Sequence, residues 1–200
     1  IMSSDWSSDV CSSDLGLFRE YIGNPGKMAG VFNDNYYFTG DRAGIDEDGY
    51  WWFIGRGDDV IKSSDFRIGP FEVESALMEH PAVAETAVVG VPDEKRYQLV
   101  KAYIILKDSE KPSRELACNI FKHTIDILAK FKIPRIIEFV PEVPKTLSGK
   151  IRRVELRQRE IDLMNKKEKT PNPEFFYWDF PELSSKKSKR DGKVQKTRDV

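Results

Sequence analysis

The 200-residue chain has only two cysteines, Cys11 and Cys118, far apart and outside any CxxC or Cys/His spacing, so it offers neither a zinc framework nor a disulfide framework. That usage is compatible with a reducing compartment. It also lacks any apolar run near the roughly 20 residues a membrane helix needs. No basic segment followed by an apolar stretch and cleavage site opens the chain, and no GxxxxGK phosphate loop occurs in it. Charge imbalance is missing too: 32 Lys+Arg against 33 Asp+Glu leave a formal net charge of -1. No global field therefore argues for nucleic acid or a membrane surface. The two histidines, His80 and His123, have no partner pattern and read as surface or helix-end residues rather than catalytic groups. At 23.0 kDa with 40% hydrophobic residues and a mean hydropathy of -0.51, the chain is expected to hold one soluble domain, or one domain plus pieces of another.

Three textures follow one another along the chain. Residues 1–15 repeat one tripeptide as Ser3-Ser4-Asp5, Ser7-Ser8-Asp9 and Ser12-Ser13-Asp14, a low-complexity stretch that is either a linker or, the favoured reading, artefactual sequence. Residues 16–57 are turn-rich and strand-like, with aromatic runs Tyr36-Tyr37-Phe38 and Tyr50-Trp51-Trp52-Phe53-Ile54 between the turn signals Gly23-Asn24-Pro25-Gly26 and Asp46-Glu47-Asp48-Gly49. Residues 58–161 then alternate short hairpin, helix and strand patterns. Val60–Lys62 and Phe66–Ile68 predict a hairpin, and Pro70 starts a helix with Val73, Leu77 and Met78 on one face and Glu72 and Glu74 in favourable first turns. Val83–Val91 and Val100–Leu106 read as buried strands. Ser113 caps a helix carrying Leu116, Ile120, Ile127 and Phe131, Arg135–Val140 is a strand, and Ile151–Ile161 a last helix. Helices over a small mixed sheet make an α+β domain of about 100 residues. Residues 162–200 mix Lys-rich runs with prolines and one aromatic cluster, Phe175–Trp178, and read as a mostly disordered basic tail. Its run Lys186–Arg190 reads as solvated rather than as a nucleic-acid or targeting patch.

Three loops combine glycine, charge and hydroxyl in the way phosphate and sugar recognition requires. In Thr39-Gly40-Asp41 a carboxylate follows a residue that permits close backbone approach, and such a carboxylate can accept from both hydroxyls of a ribose. Gly55-Arg56-Gly57-Asp58-Asp59 presents a guanidinium fork between glycines and leads into Lys62-Ser63-Ser64 and Arg67-Ile68-Gly69-Pro70. Pro144–Lys150 sets a lysine behind Ser148-Gly149, where an ammonium can neutralise two approaching anions. Each alone is outweighed by an ordinary turn, a charged hairpin or a solvated lysine. Their order is far more specific.

From Gly16 to Glu160 the chain resembles the C-terminal part of the AMP-forming acyl-CoA synthetases of the adenylate-forming superfamily. The stretch Asp48–Lys62, with Arg67–Leu77 and Pro144–Lys150, is most similar to the mitochondrial medium-chain enzymes. The resemblance implies the β-rich end of the large N-terminal AMP-binding domain over 16–57 and the small C-terminal domain over 58–161. It implies that Asp41 and Arg56 bind the ribose of ATP, that Arg67 lies near the nucleotide or CoA, and that Asp58 is the hinge. Ser64, Asp65 and Phe66 would line the CoA channel, Arg96 would meet CoA phosphate, and Lys150 would be the catalytic, adenylating lysine, also in contact with ATP. ATP, Mg2+ and CoA would serve the intact enzyme, with no metal site in this chain. A medium-chain fatty or aromatic acid would be the substrate and the mitochondrial matrix the location, with no targeting segment in this chain. Partners would be small molecules and a large N-terminal domain, with no nucleic acid and no membrane span.

Two departures from the family pattern carry expectations. Position 65 is normally glycine beside the pantetheine arm, and here Asp65 brings a side chain and a negative charge. Tyr97 likewise follows Arg96 where relatives have a small residue. The phosphate loop, acyl pocket and most of the adenine site are not in the text, so the chain alone is expected to bind nucleotide weakly and not to turn over. The alternative from another class is an orphan C-terminal domain that binds a partner without catalysis, or a truncated gene product.

Overall fold

A computed structural model describes residues 21–33 and 36–183, which divide between Val60 and Ile61 into two units. The Ser/Asp repeat and the Lys186–Arg190 run lie outside the described residues.

The first unit opens with helix α1 (Pro25–Val31), where the sequence predicts a turn. Asn24 explains the difference: its side-chain oxygen accepts from the Lys27 amide at 3.2 Å, and Pro25 takes the first helical position, where no amide is needed. Strands β1 (Phe32–Asn33) and β2 (Tyr36–Tyr37) pair antiparallel, as do β3 (Asp41–Ile45) and β4 (Trp51–Arg56). The β3–β4 turn is organised by Asp46, whose carboxylate accepts from the Asp48 and Tyr50 amides and, at 2.6 Å, from the Trp52 indole. The Trp52 bond, with the Tyr50 amide next, holds the Asp46 carboxyl below its ordinary value.

The second unit is a six-stranded mixed sheet covered on both faces, the α+β architecture expected. Strands β5 (Ile61–Ser63) and β6 (Phe66–Ile68) form a tight hairpin, followed by helix α2 (Pro70–Met78). Strands β7 (Val83–Asp93) and β8 (Tyr97–Leu106) form the long central hairpin. Helix α3 (Arg114–Ile127) crosses over to β9 (Ile136–Phe139), which runs parallel to β8, and helix α4 (Arg153–Lys166) follows. A last strand, β10 (Glu174–Phe176), pairs antiparallel with β9 and gives the order β10-β9-β8-β5-β6, with β7 pairing β8 off this path and β5 meeting β8 only at Ser63–Tyr97. A dozen or more residues are needed to join parallel neighbours, and α3 supplies them. The Ser113 hydroxyl caps it by accepting from the Leu116 amide at 3.1 Å.

Alternation along β7 and β8 feeds two apolar layers. Val88, Val100 and Ile104 pack with Leu77, Ile120 and Phe121 from α2 and α3, whereas Val89 and Tyr103 pack with Leu156 of α4. Met78, expected on the buried face of α2, is 47% exposed, because the helix ends there and turns away. Ile127 and Phe131 also stay partly exposed, since α3 stops at Ile127.

The chain beyond residue 161 differs most from expectation. Instead of a disordered tail from 162, α4 continues to Lys166 and residues 168–183 form a strap along β9 that ends in two 3-10 turns. Both faces of the strap have work to do. Phe175, Phe180 and Leu183 fill the α3 side of the core. On the other side Thr170 and Asn172 donate to Glu138, and Glu174 lies 2.6 Å from the Lys101 ammonium. Lys101 is 1% exposed and also pairs with Glu138 Oε2 at 2.8 Å, off the hydrogen-bond line, and with Glu160 at 2.9 Å. Burial opposes the Lys101 charge, but the three carboxylates outweigh it and hold the ammonium above its ordinary value. Burial likewise acts against Glu138, yet Lys101, Asn172 and Thr170 hold its carboxyl below the usual range.

His80 is at the end of a helix, as expected, but not on the surface. It is buried where α2 ends, its ring edge-on to His123 at 5.3 Å, and its Nδ1 accepts from the Ala82 amide at 3.2 Å. Burial, with His123 next, pushes its pKa down.

Candidate functional site

In the first unit the β3–β4 ladder brings Asp41 and Arg56 together as direct cross-strand partners. The Arg56 guanidinium lies 3.9 Å from Asp41 and donates from Nε to Asp58 at 3.2 Å, all three side chains being substantially exposed. Such a pair is loose enough to reorganise around a ligand, and it juxtaposes a carboxylate acceptor with a planar donor fork. Gly40 makes this approach possible: at φ +80°, a Cβ there would sit 3.1 Å from the Arg56 guanidinium. The Gly57 amide closes the turn on the Gly40 carbonyl at 2.7 Å. Asp58 lies just before the division between the two units.

In the second unit the remaining residues fall at two ends of the β7–β8 hairpin. One end holds Ser64, Asp65, Phe66, Arg67 and Arg96. Ser64, at φ 53°, takes the left-handed position of the β5–β6 turn, and its amide donates to the Arg96 carbonyl at 2.8 Å. Arg96 sits in the β7–β8 turn, where Asp93 Oδ1 accepts its amide at 2.7 Å, and Tyr97 follows at φ 68°, 69% exposed. Phe66 stacks on Phe131 with ring centroids 4.2 Å apart, and Arg67 pairs across the hairpin with Lys62. Gln98 braces this edge: its side-chain oxygen accepts from the Lys62 amide at 2.8 Å and lies so close over Gly90 that a Cβ there would meet it at 2.8 Å.

The other end holds Lys150, in a small hairpin whose legs pair at Lys145 and Ile151. Thr146 organises its tip: the Thr146 hydroxyl accepts from the Lys150 amide at 3.1 Å, and Gly149 takes φ +81°. Lys145 ties one leg to Glu85 near the start of β7 at 2.6 Å. The other leg runs into α4, where Arg153 makes a buried bidentate pair with Glu74 at 2.6 and 2.9 Å, and Glu74 also accepts from the Val88 amide at 2.7 Å. Lys150 itself is exposed. Glu85 and Asp93 are eight residues apart on β7, so at about 3.3 Å per residue the two ends are separated by about 26 Å.

Glu74, Arg153 and Glu85 were not singled out as site residues by the sequence. Glu74 reads there as an acid favoured by the start of α2, but its partner lies 79 residues away, a distance no local pattern reports. Among the described residues no group of three or more His, Cys, Asp or Glu side chains is arranged to hold a metal ion.

Comparison with known proteins adds the frame for this geometry. Residues 72–150 match the AMP-binding enzyme C-terminal domain. The chain is 59% identical over 162 residues to 4-hydroxybutyrate–CoA ligase 1 of Metallosphaera sedula, covering 81% of this chain and 28% of that protein. It is 53% identical over 148 residues to the mitochondrial acyl-coenzyme A synthetase ACSM3 of Rattus norvegicus, covering 73% and 26% of the two chains. The crystal structure of the anthranilate CoA ligase AuaEII in complex with anthranoyl-AMP superposes with a TM-score of 0.63 at 46% identity, over 67% of this chain and 26% of that one. The chain thus spans between a quarter and three-tenths of the length of these relatives. Residues 72–150 thus carry the AMP-binding enzyme C-terminal domain, and over most of its length the chain is similar to a part of acyl-CoA synthetases and shares the fold of adenylate-forming ligases.

Proposed function

We propose that this chain supplies the small domain and the adjoining ribose-binding turn of an acid–thiol ligase that acts on a medium-chain fatty or aromatic acid in the mitochondrial matrix. The acid's carboxylate oxygen attacks the α-phosphorus of ATP, the bond to pyrophosphate breaks, and an acyl adenylate forms. The CoA thiol then loses its proton to solvent or base, its sulfur attacks the acyl carbonyl, and AMP leaves. Asp41 accepts from the ribose hydroxyls while Arg56 donates to ribose or phosphate oxygens. Lys150 bridges carboxylate and phosphate as their charges approach. Ser64, Asp65 and Phe66 line the CoA path, Arg96 meets a CoA phosphate, and Arg67 lies beside it. Asp58 is the hinge about which the small domain turns.

The observation that carries this reading is the placement of Lys150 and of the Ser64–Arg96 edge at opposite ends of one hairpin. A single rigid domain with two functional ends suits two half-reactions, each end being presented in turn. The mitochondrial relative supports the location, and the medium-chain resemblance of Asp48–Lys62 supports the acid. The test uses the chain joined behind the nucleotide-binding domain of the rat relative. Lys150→Ala is expected to slow pyrophosphate release with a medium-chain acid by about 10²–10³-fold, while thioester formation from preformed acyl adenylate stays near wild type. Equal loss in both assays would refute the assignment of Lys150 to adenylation alone.

A further inference from the structure

Helix α4 stops where its own sequence gives no signal to stop. Lys167 closes it in the left-handed region, at φ 55° and ψ 32°. The Lys167 amide donates to the Met164 carbonyl at 3.1 Å and the Glu168 amide to the Leu163 carbonyl at 3.0 Å, the paired bonds of a Schellman turn. Such turns favour glycine at the left-handed position and an apolar residue after it, and here those two positions hold Lys167 and Glu168, both exposed. Lys167, Glu168 and Lys169 are instead favourable helix formers, and lysines at 166, 167 and 169 suit the negative end of a helix. The first local obstacle to continuing is Thr170, because it precedes Pro171. By local preference α4 would run on to Lys169, almost one turn further.

The strap imposes the early stop. It lies along β9 because the chain reverses at Lys167, and both faces stabilise the return. Thr170 and Asn172 donate to Glu138 at 2.7 and 2.8 Å, Glu174 pairs with Lys101 at 2.6 Å, and Phe180 packs on Phe121. Only seven residues, 167–173, join α4 to β10. A short, strained hinge leading to a peripheral strand is the arrangement from which an element is exchanged between copies. Extending α4 relieves Lys167 and carries the strap away from its own sheet. The vacated edge then opens Lys101 and Glu138, 1% and 0% exposed in the closed chain, together with the Phe121 face. A second copy carries the same residues 170–183, whose donors, acid and aromatics already match that edge. Its fit is demonstrated by the closed form itself.

We propose that residues 168–183 are an exchangeable arm. With α4 extended through Lys169, the strap of each copy docks on β9 of the other, and two chains form a reciprocal, strand-swapped dimer. The contacts that close the monomer are then the contacts that join the pair, and the backbone at Lys167 sets the balance between the two forms. The inference is independent of the ligase function proposed above.

The experiment refolds the full chain from urea at a series of concentrations and follows its mass by sedimentation velocity. Wild type is expected to give a dimer whose share rises with concentration. Lys167→Gly accepts the left-handed backbone and disfavours the extended helix. Each hinge then shifts by about five- to thirtyfold and a dimer contains two, so its dissociation constant is expected to rise at least about 25-fold. Lys167→Ala keeps the Cβ and the helix preference while removing the ammonium, and is expected to stay within about threefold of wild type. Gly and Ala variants that dimerise alike would overturn the role of the hinge. A second readout locates the strap. Cys118 Sγ lies 3.5 Å from Glu182 Oε1, so in a chain carrying Cys11→Ser and Glu182→Cys a short bifunctional thiol reagent bridges the strap to α3. In the closed monomer the bridge joins a chain to itself, whereas in the exchanged dimer it joins two chains and leaves a covalent dimer on a denaturing gel. Dimers that carry only intrachain bridges overturn the exchange, as does a wild-type chain that stays monomeric at every concentration. The lack of any bridge would mean that the strap does not dock on α3, which removes the arm itself.

Discussion

Phe180→Ala is the sharpest test of the strap. Phe180 is 1% exposed, its ring centroid lies 5.5 Å from Phe121 and 6.5 Å from Phe175, and the Arg114 guanidinium caps it at 4.2 Å. Truncating a buried Phe costs about 3–5 kcal/mol when the cavity cannot collapse. Here the loss has a ceiling, because the strap can detach from β9 while the rest of the sheet survives. The penalty then cannot exceed the free energy with which residues 168–183 dock. Two measurements separate these cases. Urea unfolding of the chain reports the global loss. Hydrogen exchange reports the docking, because the Phe139 amide donates to the Pro173 carbonyl at 3.0 Å and the Tyr177 amide to the Arg135 carbonyl at 2.9 Å. A docking loss of about 3 kcal/mol accelerates exchange at both amides by about 150-fold, at 1.4 kcal/mol per factor of ten. If the urea midpoint and both exchange rates match wild type, the strap does not contribute to the core and the reasoning fails.

Three further outcomes are expected. Lys101→Met strands the three carboxylates Glu138, Glu160 and Glu174 and costs about 3–5 kcal/mol at neutral pH. Glu138 is held below its ordinary value of 4.5, so in wild type its contribution is present above that value and is lost on acidification. In Lys101→Met the carboxylates protonate more readily, so the difference from wild type shrinks as pH falls toward 4.5; a difference of equal size at pH 7 and 4.5 would contradict the network. His80, held below 6.5, is favoured neutral in the folded state, and the unfolded chain binds more protons below that value. Stability therefore falls as pH drops from 7 toward 5, and His80→Gln flattens that slope in denaturation profiles; an unchanged slope removes His80 as its source. Asp65→Gly is expected to speed acyl-CoA formation from preformed adenylate while leaving pyrophosphate release alone, and an unchanged thioester rate would refute the obstruction assigned to Asp65.

What the sequence made legible is what repeats locally. The β5–β6 hairpin, the β7 and β8 strands, the Ser113 cap and the crossover helix all announce themselves by period and by punctuation within a few residues. The strap did not, because its meaning is distributed. Thr170, Asn172 and Glu174 read as polar tail until Glu138 and Lys101 are seen waiting across the sheet edge, and Phe180 reads as a loose aromatic until Phe121 is placed against it. Low hydropathy argues for disorder only when the polar residues have no buried partners.

The site shows the same division at a larger scale. Asp41 and Arg56 were read separately, from a Gly-Asp turn and a Gly-Arg-Gly turn, and the antiparallel register makes them one rung. Ser64 and Arg96 are 32 positions apart and meet through a backbone hydrogen bond that no side-chain pattern encodes. Lys150 reads as one more member of the same set, yet its hairpin is tied through Lys145 to Glu85, at the far end of β7. That separation changes what the set means. Residues gathered in one cleft would serve one chemical step, whereas groups held about 26 Å apart on one sheet can serve a single bound substrate only if the sheet itself is re-presented. On the function proposed, the anchors Glu85–Lys145 and Glu74–Arg153 have a purpose beyond stability. They fix the Lys150 hairpin to the same strands and helix that carry the opposite edge, so that turning the domain moves both ends as one body.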